Sequence, residues 1–342
     1  MIMEEQMDFA LVITALLDET RPFPPKLLYH LSAITPEETM TLKHTWPQVM
    51  VERRRALLED LEMLSEKDLL LIFDEIGKIG LHDTDNQVIF NAIRLLWHTE
   101  DKNLVPEYIH YLNTHPDEGV RAVAGSILGN FVYLGEVECI PASLLKSIEE
   151  ALLHATHKDR SDLVRRRTLE SLGYSCREEV VPLIKSALAK SDPLWQESAL
   201  FAMGRSADNQ WDKYVLKHLD DEDLSVKISA IHAAGDLAIE KARTFLVDML
   251  NEDIEDDELL SEVIWALSQI GGEGVRETLE GLQDKTDDPD VESLIEDALD
   301  NLCLTEDASL FELMDVDLEN EEDEDVFSDL DIDLEDDDFE EV

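Results

Sequence analysis

Basic residues are scarce. Only 28 Lys and Arg stand against 80 Asp and Glu in 342 residues, a formal charge of −52. Phosphate backbones are bound by Lys and Arg that displace counterions, so a surface of this sign argues against DNA or RNA as partner. Cysteine is equally sparse: Cys139, Cys176 and Cys303 lie far apart with no C-x-x-C spacing, an odd count that fits a reducing, cytoplasmic setting. No hydrophobic run is long enough to span a bilayer. The apolar stretch Phe9 to Leu17 has nine residues, and acids precede it where a signal peptide would carry bases. Glycines occur singly or as Gly271-Gly272, without the spacing and Lys-Ser/Thr of a phosphate loop. His154 and His157 stand one turn apart, but no third ligand is nearby, so neither a metal nor another cofactor is expected.

What is present is a repeat. In Asp117 to Gly129, reading DEGVRAVAGSILG, an acid precedes an apolar anchor, Val120, by three residues, and Ala124, Leu128 and Gly129 follow. The same frame fits anchors at Val88, Val164, Trp195, Val226, Leu259 and Val291, with Asp85, Asp192, Asp223, Asp256 and Asp288 in the acid position and Ser161 before Val164. Successive anchors are 32, 44, 31, 31, 33 and 32 residues apart, the length of a helical hairpin in a stacked array. Positions 0, +4 and +8 share one stripe of a helix and are expected to be buried. The acid is placed to cap the helix N-terminus. Gly129, Gly173, Gly204 and Gly235 are expected to end their helices in a left-handed turn. Trp97 and Asp300 replace the glycine at the two ends.

The pattern D-x-x-V-[RK]-x-x-A, as in Asp117–Val120–Arg121–Ala124 and Asp223–Val226–Lys227–Ala230, resembles the second helix of HEAT repeats. The resemblance implies an all-α fold, an α-solenoid of antiparallel helix pairs forming a superhelix, with second helices on a concave ligand-binding side. It covers residues 80–302 well and 1–79 poorly. Gln196, Leu260 and Glu292 occupy the place of Arg121, which interrupts the charged ladder of the family. HEAT-like deoxyhypusine hydroxylases carry His-Glu dipeptides as iron ligands, and no histidine here is followed by Glu. The phycobilin lyases also have such repeats, but none of their bilin-handling residues can be carried over. HEAT-like alkylpurine DNA glycosylases need a basic groove, and the charge here is of the wrong sign.

Three segments are expected: a degenerate helical cap over 1–79, the HEAT-like array over 80–304, and an acidic disordered tail over 305–342. In the cap, Arg21 to Pro25 ends a first helix, Thr35 to Glu38 forms a capping box, Pro47 starts another helix, and Ser65 to Asp68 caps the next. The long interval between Val120 and Val164 places about a dozen extra residues near 131–142, in a loop or a lengthened helix. The tail holds 20 acids and no base, and such like-charge blocks are normally disordered. Within it, Asp329 to Glu335 alternates acid and aliphatic residues.

The reading for function is a non-catalytic scaffold or adaptor that binds a protein partner on the solenoid surface. The alternative is a HEAT-like lyase or an accessory factor of a modifying enzyme, phycobilin-lyase-like. Neither nucleic acid nor membrane is expected as a partner. Two basic runs interrupt the acidic background, Arg53-Arg54-Arg55 and Arg165-Arg166-Arg167. They are the candidate partner-binding residues, for an acidic client or, weakly, for the chain's own tail.

Overall fold

Each repeat helix starts where its acid stands. The Asp85 carboxylate accepts from the Val88 N–H at 3.1 Å, Asp117 from Val120 at 3.0 Å and Asp256 from Leu259 at 2.9 Å. Asp192 and Asp223 accept from Leu194 and Ser225, each at 3.1 Å. These bonds satisfy donors that the first helical turn leaves open. Ser161 makes no side-chain cap. The computed structural model describes residues 2–252 and 254–303, with side chains from residue 9 onward, and no strand occurs among the described residues. The tail expected over 305–342 lies outside them.

The chain divides into two units at Leu237 and Ala238. The first contains α1 (Ile2–Leu17), α2 (Pro36–Thr45), α3 (Val51–Lys67), α4 (Asp74–Leu81), α5 (Asn86–Leu95), α6 (Val105–Thr114), α7 (Glu118–Glu136), α8 (Ala142–Lys158), α9 (Asp162–Leu172), α10 (Val180–Leu188), α11 (Pro193–Arg205), α12 (Asp212–His218) and α13 (Leu224–Asp236). From α4 on, the helices pair in sequence: α4 with α5, α6 with α7, α8 with α9, α10 with α11, α12 with α13. The second members stack on one another, and α3, α5, α7, α9, α11 and α13 make one continuous layer. This is the architecture of an α-solenoid. The expected stripe is sealed inside it: Val88, Ala92, Val120, Ala124, Leu128, Val226 and Ala230 are fully buried.

The second unit contains α14 (Arg243–Asn251), α15 (Asp257–Ile270) and α16 (Val275–Gln283), each packed on the other two, and a helix over 289–303. Val263, Leu267, Leu279, Ile295 and Leu302 form its core.

Gly129, Gly173, Gly204 and Gly235 are not left-handed stops. Gly129, Gly204 and Gly235 lie inside α7, α11 and α13, and Gly173 is right-handed at φ −53°, ψ −35°. Their smallness serves close approach instead. A Cβ on Gly129 would stand 2.9 Å from Ser171 Oγ, and one on Gly173 would stand 2.7 Å from the Ala202 carbonyl. Non-glycine residues take the left-handed conformation after α7, α11 and α13 instead: Glu138, Ala207 and Ala238, at φ 61°, 49° and 46°.

Two boundaries in the first 79 residues also differ from expectation. Ser65 lies within α3, its hydroxyl donating to the Glu62 carbonyl, and Asp68 ends that helix instead of starting the next. Pro47 belongs to a single 3-10 turn, Trp46–Gln48, ahead of α3. The Thr35–Glu38 capping box is present, the Thr35 N–H donating to Glu38 Oε2 at 2.8 Å. The long interval is taken up by helix: α7 runs 19 residues and α8 runs 17.

Candidate functional site

The repeat frame decides what the layer of second helices shows on its free face. If 0, +4 and +8 point inward, positions +2, +3, +6 and +10 form a neighbouring stripe around the same helix. In α5 and the turn after it these are Phe90, Asn91, Arg94 and His98; in α7 Ala122, Val123, Ser126 and Asn130; in α9 and the turn after it Arg166, Arg167, Glu170 and Tyr174; in α11 Glu197, Ser198, Phe201 and Arg205. A groove of about 620 Å³ opens there, lined among others by Phe90, Arg94, Trp97, Val123, Arg167, Glu170, Phe201 and Arg205, with Glu62 and Glu66 of α3 at one end.

Two of its three arginines are neutralised in place. Arg94 meets Glu62 at 2.6 Å and lies 5.9 Å from the Phe90 ring centre. Burial pushes the Glu62 carboxyl up, and the Arg94 charge opposes that only in part. Arg167 pairs with Glu170 at 2.7 Å, and Glu170 also accepts from Ser198 Oγ at 2.7 Å.

Arg205 is different. Its guanidinium lies over two rings, 4.2 Å from the Phe201 centre and 4.8 Å from that of Tyr174. Its hydrogen bond is a long one, donated to the Glu170 carbonyl at 3.4 Å. Among the described residues no carboxylate forms an ion pair with it. Burial pulls its pKa down, against the pull of Tyr174, Glu170 and Asp236, yet an arginine stays charged at any physiological pH. Phe201 stacks on its other neighbour, His232, with centres 5.8 Å apart and planes 10° from parallel.

The six arginines singled out in the sequence are placed as follows. Arg53 donates to the carbonyls of Ala15 and Arg21 and ties the end of α1 to α3. Arg54 meets Asp83 at 2.6 Å, and Arg55 grips the Asp85 cap at 2.8 and 2.5 Å. Arg165 pairs with Asp162 and lies over the Trp195 ring at 5.5 Å. Arg166 is buried and donates to the Leu194 carbonyl at 3.4 Å. Of the six, Arg167 lines the groove. Phe90, Arg94, Phe201 and Arg205 were not singled out in the sequence. The signal that would have found them is their position in the frame, +2, +6, +6 and +10, which a search for clustered charge does not use.

His154 and His157 are exposed on α8, and among the described residues no group of three His, Cys, Asp or Glu is placed to hold a metal ion. No described helix is long and apolar enough to cross a membrane.

Comparison with known proteins gives one family match. Residues 213–300 match a model described as HEAT repeats. No curated protein matches the chain. Among solved structures, the YibA protein of E. coli is 17% identical over 81% of this chain and 95% of its own, at a TM-score of 0.42. The CpcE–CpcF complex of phycocyanin lyase from Nostoc sp. PCC7120 is 17% identical over 67% and 94%, at 0.46. Human deoxyhypusine hydroxylase is 15% identical over 88% and 97%, at 0.32. Residues 213–300 thus match HEAT repeats, and the frame repeated seven times, with helices paired in the order it dictates, is similar to the α-solenoid architecture of that family.

Proposed function

We propose that this protein is a non-catalytic interaction scaffold, and that the groove on its second-helix layer between α3 and α11 binds a segment of a partner protein. Arg205 carries the reading: a cation over the rings of Phe201 and Tyr174, with no carboxylate paired to it among the described residues although the chain has 80 Asp and Glu. Aromatic and arginine side chains dominate binding energy where they are partly desolvated and fixed before the partner arrives. Phe201 and Arg205 meet both conditions. A carboxylate of the partner would find in Arg205 a planar fork with donors open to the groove. Phe90, Trp97 and Val123 would take its apolar side chains.

The test is capture of partners from the native cell by the tagged full-length chain. The comparison is with Phe201→Ala/Arg205→Gln and with a control, Lys146→Glu, on the exposed face of α8. At least one captured protein should fall tenfold or more with the groove variant, about 1.4 kcal/mol in affinity, and stay unchanged with the control. Identical capture by all three would refute the assignment.

A further inference from the structure

The other layer of the first unit holds a place where the sign of the protein's charge is locally reversed. Lys185 of α10 and Lys213 and Lys217 of α12 surround a recess of about 550 Å³ whose remaining lining is Leu188, Ala189, Gln196, Tyr214 and His218. None of these eight is an acid, although carboxylates outnumber bases 80 to 28 in the chain. All three lysines are exposed. Lys185 Nζ lies 5.5 Å from the Trp211 ring centre and 5.9 Å from that of Tyr214, and Lys213 Nζ lies 5.0 Å from Tyr214. Among the described residues none of the three has an ion-pair partner, whereas Lys78 touches both Glu75 and Asp101, and Lys227 meets Asp220. His218 sits on the Tyr214 carbonyl through Nδ1 at 2.7 Å.

An unneutralised trio of lysines over an apolar, aromatic floor calls for two kinds of group at once. Carboxylates satisfy the ammonium groups. Aliphatic side chains cover Leu188, Ala189 and the tyrosine ring. An extended peptide whose acids and aliphatics alternate presents them on opposite faces at a repeat of about 7 Å, so one face meets the lysine rim while the other meets the floor. We propose that this recess is a second docking site, which binds an acidic segment of another protein with alternating carboxylate and aliphatic residues. A polyphosphate chain offers charge but nothing for the floor. The rest of the acidic surface opposes any long anion, so the contact is short and depends on salt.

The segment Asp329 to Glu335 of this chain has the required pattern, and a labelled synthetic peptide with the sequence of residues 329–342 is the probe. It is titrated by fluorescence anisotropy against the full-length protein. A second titration uses a full-length variant with Asp329, Asp331 and Asp333 changed to Asn and Glu335 to Gln, so that its own segment does not compete. Both proteins should bind equally and saturably at low salt. Binding should weaken at least tenfold in Lys185→Glu/Lys213→Glu/Lys217→Glu, and fall when Leu330, Ile332 and Leu334 of the peptide become Ser. It should vanish toward 1 M salt, where the Debye length is about 3 Å. Circular dichroism should show unchanged helix in the lysine variant, since these side chains are exposed. Phe201→Ala/Arg205→Gln should leave peptide binding intact, which separates this site from the groove. Unaltered binding by the lysine variant, or no binding by either protein, overturns the proposal. Tighter binding by the acid-neutralised variant assigns the recess to the chain's own segment and overturns the partner. Equal binding of an oligonucleotide of matched charge overturns the peptide chemistry.

Discussion

Gly173 and Gly281 show how one residue type can do opposite work. Both are helical or nearly so, and alanine favours a helix over glycine by roughly 1 kcal/mol. At Gly281 an added Cβ would meet nothing within 4 Å, so Gly281→Ala should stabilise by about 0.5–1 kcal/mol. At Gly173 the Cβ would meet backbone, the Ala202 carbonyl at 2.7 Å and its Cα at 2.9 Å. Gly173→Ala should therefore cost about 1–3 kcal/mol. Urea unfolding of the two variants checks both signs, and two shifts in the same direction would contradict the account. Glu149 offers a test by pH. It is buried, and burial pushes its carboxyl up, although the Ser175 hydroxyl donates to it and Arg177 is near. A carboxyl whose folded pKa is raised binds its proton more tightly in the native state. Its ionisation therefore costs stability at pH 7, and that cost is recovered as pH falls through the folded pKa toward the unfolded value of about 4.3. Glu149→Gln should be more stable than the parent at pH 7, with the difference closing near pH 4.

At the level of elements, α7 carries a buried ion pair that joins its repeat to the next. Arg121 is bidentate to Asp159 at 2.8 and 3.0 Å, and it also donates to the carbonyls of His115 and Pro116 at 2.9 and 3.1 Å. Its side chain is 5% exposed and that of Asp159 is 10% exposed. Arg121→Met should cost about 3–5 kcal/mol because it strands a buried carboxylate, and Arg121→Met/Asp159→Leu should recover most of that loss. Burial alone would raise the Asp159 carboxyl, but the bonds from Arg121 and the Ser161 N–H hold it below the usual range. The folded pKa is depressed, so the pair's contribution is present above about pH 4 and is lost as pH falls through the folded value. Thermal melts of parent and double variant at pH 7 and pH 3 should show the gap shrinking in acid. The helices themselves were legible in the sequence, because Asp85, Asp117, Asp223 and Asp256 mark their starts and Val120, Ala124 and Leu128 mark the buried stripe. Their ends were not. Glycine's local freedom and its use in close packing leave the same letter in the sequence, and only the packed structure shows that Gly129 faces Ser171. The arginine runs were legible as charge, but the pairing of Arg54 with Asp83 and of Arg121 with Asp159 spans 29 and 38 residues, which no local pattern reveals.

Across the whole molecule, charge and groove have to be weighed together. A net −52 keeps anions at a distance, so an anionic group that binds must do so where cations are fixed and partly dry. In the first unit the second-helix groove meets that description through Arg205, whereas the lysine recess on the other layer gathers three exposed, unneutralised cations around an apolar floor. The groove was not legible from composition, since Phe90, Phe201 and Arg205 are ordinary residues until the repeat frame places them on one face. The account stands or falls on that face touching a protein. Photo-crosslinking in the native cell decides it, with benzoylphenylalanine installed in the full-length chain at Phe201 in the groove, or at Tyr29, an exposed side chain of the first 79 residues. The account predicts a protein adduct of defined mass from position 201 that disappears when Arg205→Gln is added, and none of that mass from position 29. The same adduct from both positions, or an adduct at 201 indifferent to Arg205, would contradict it.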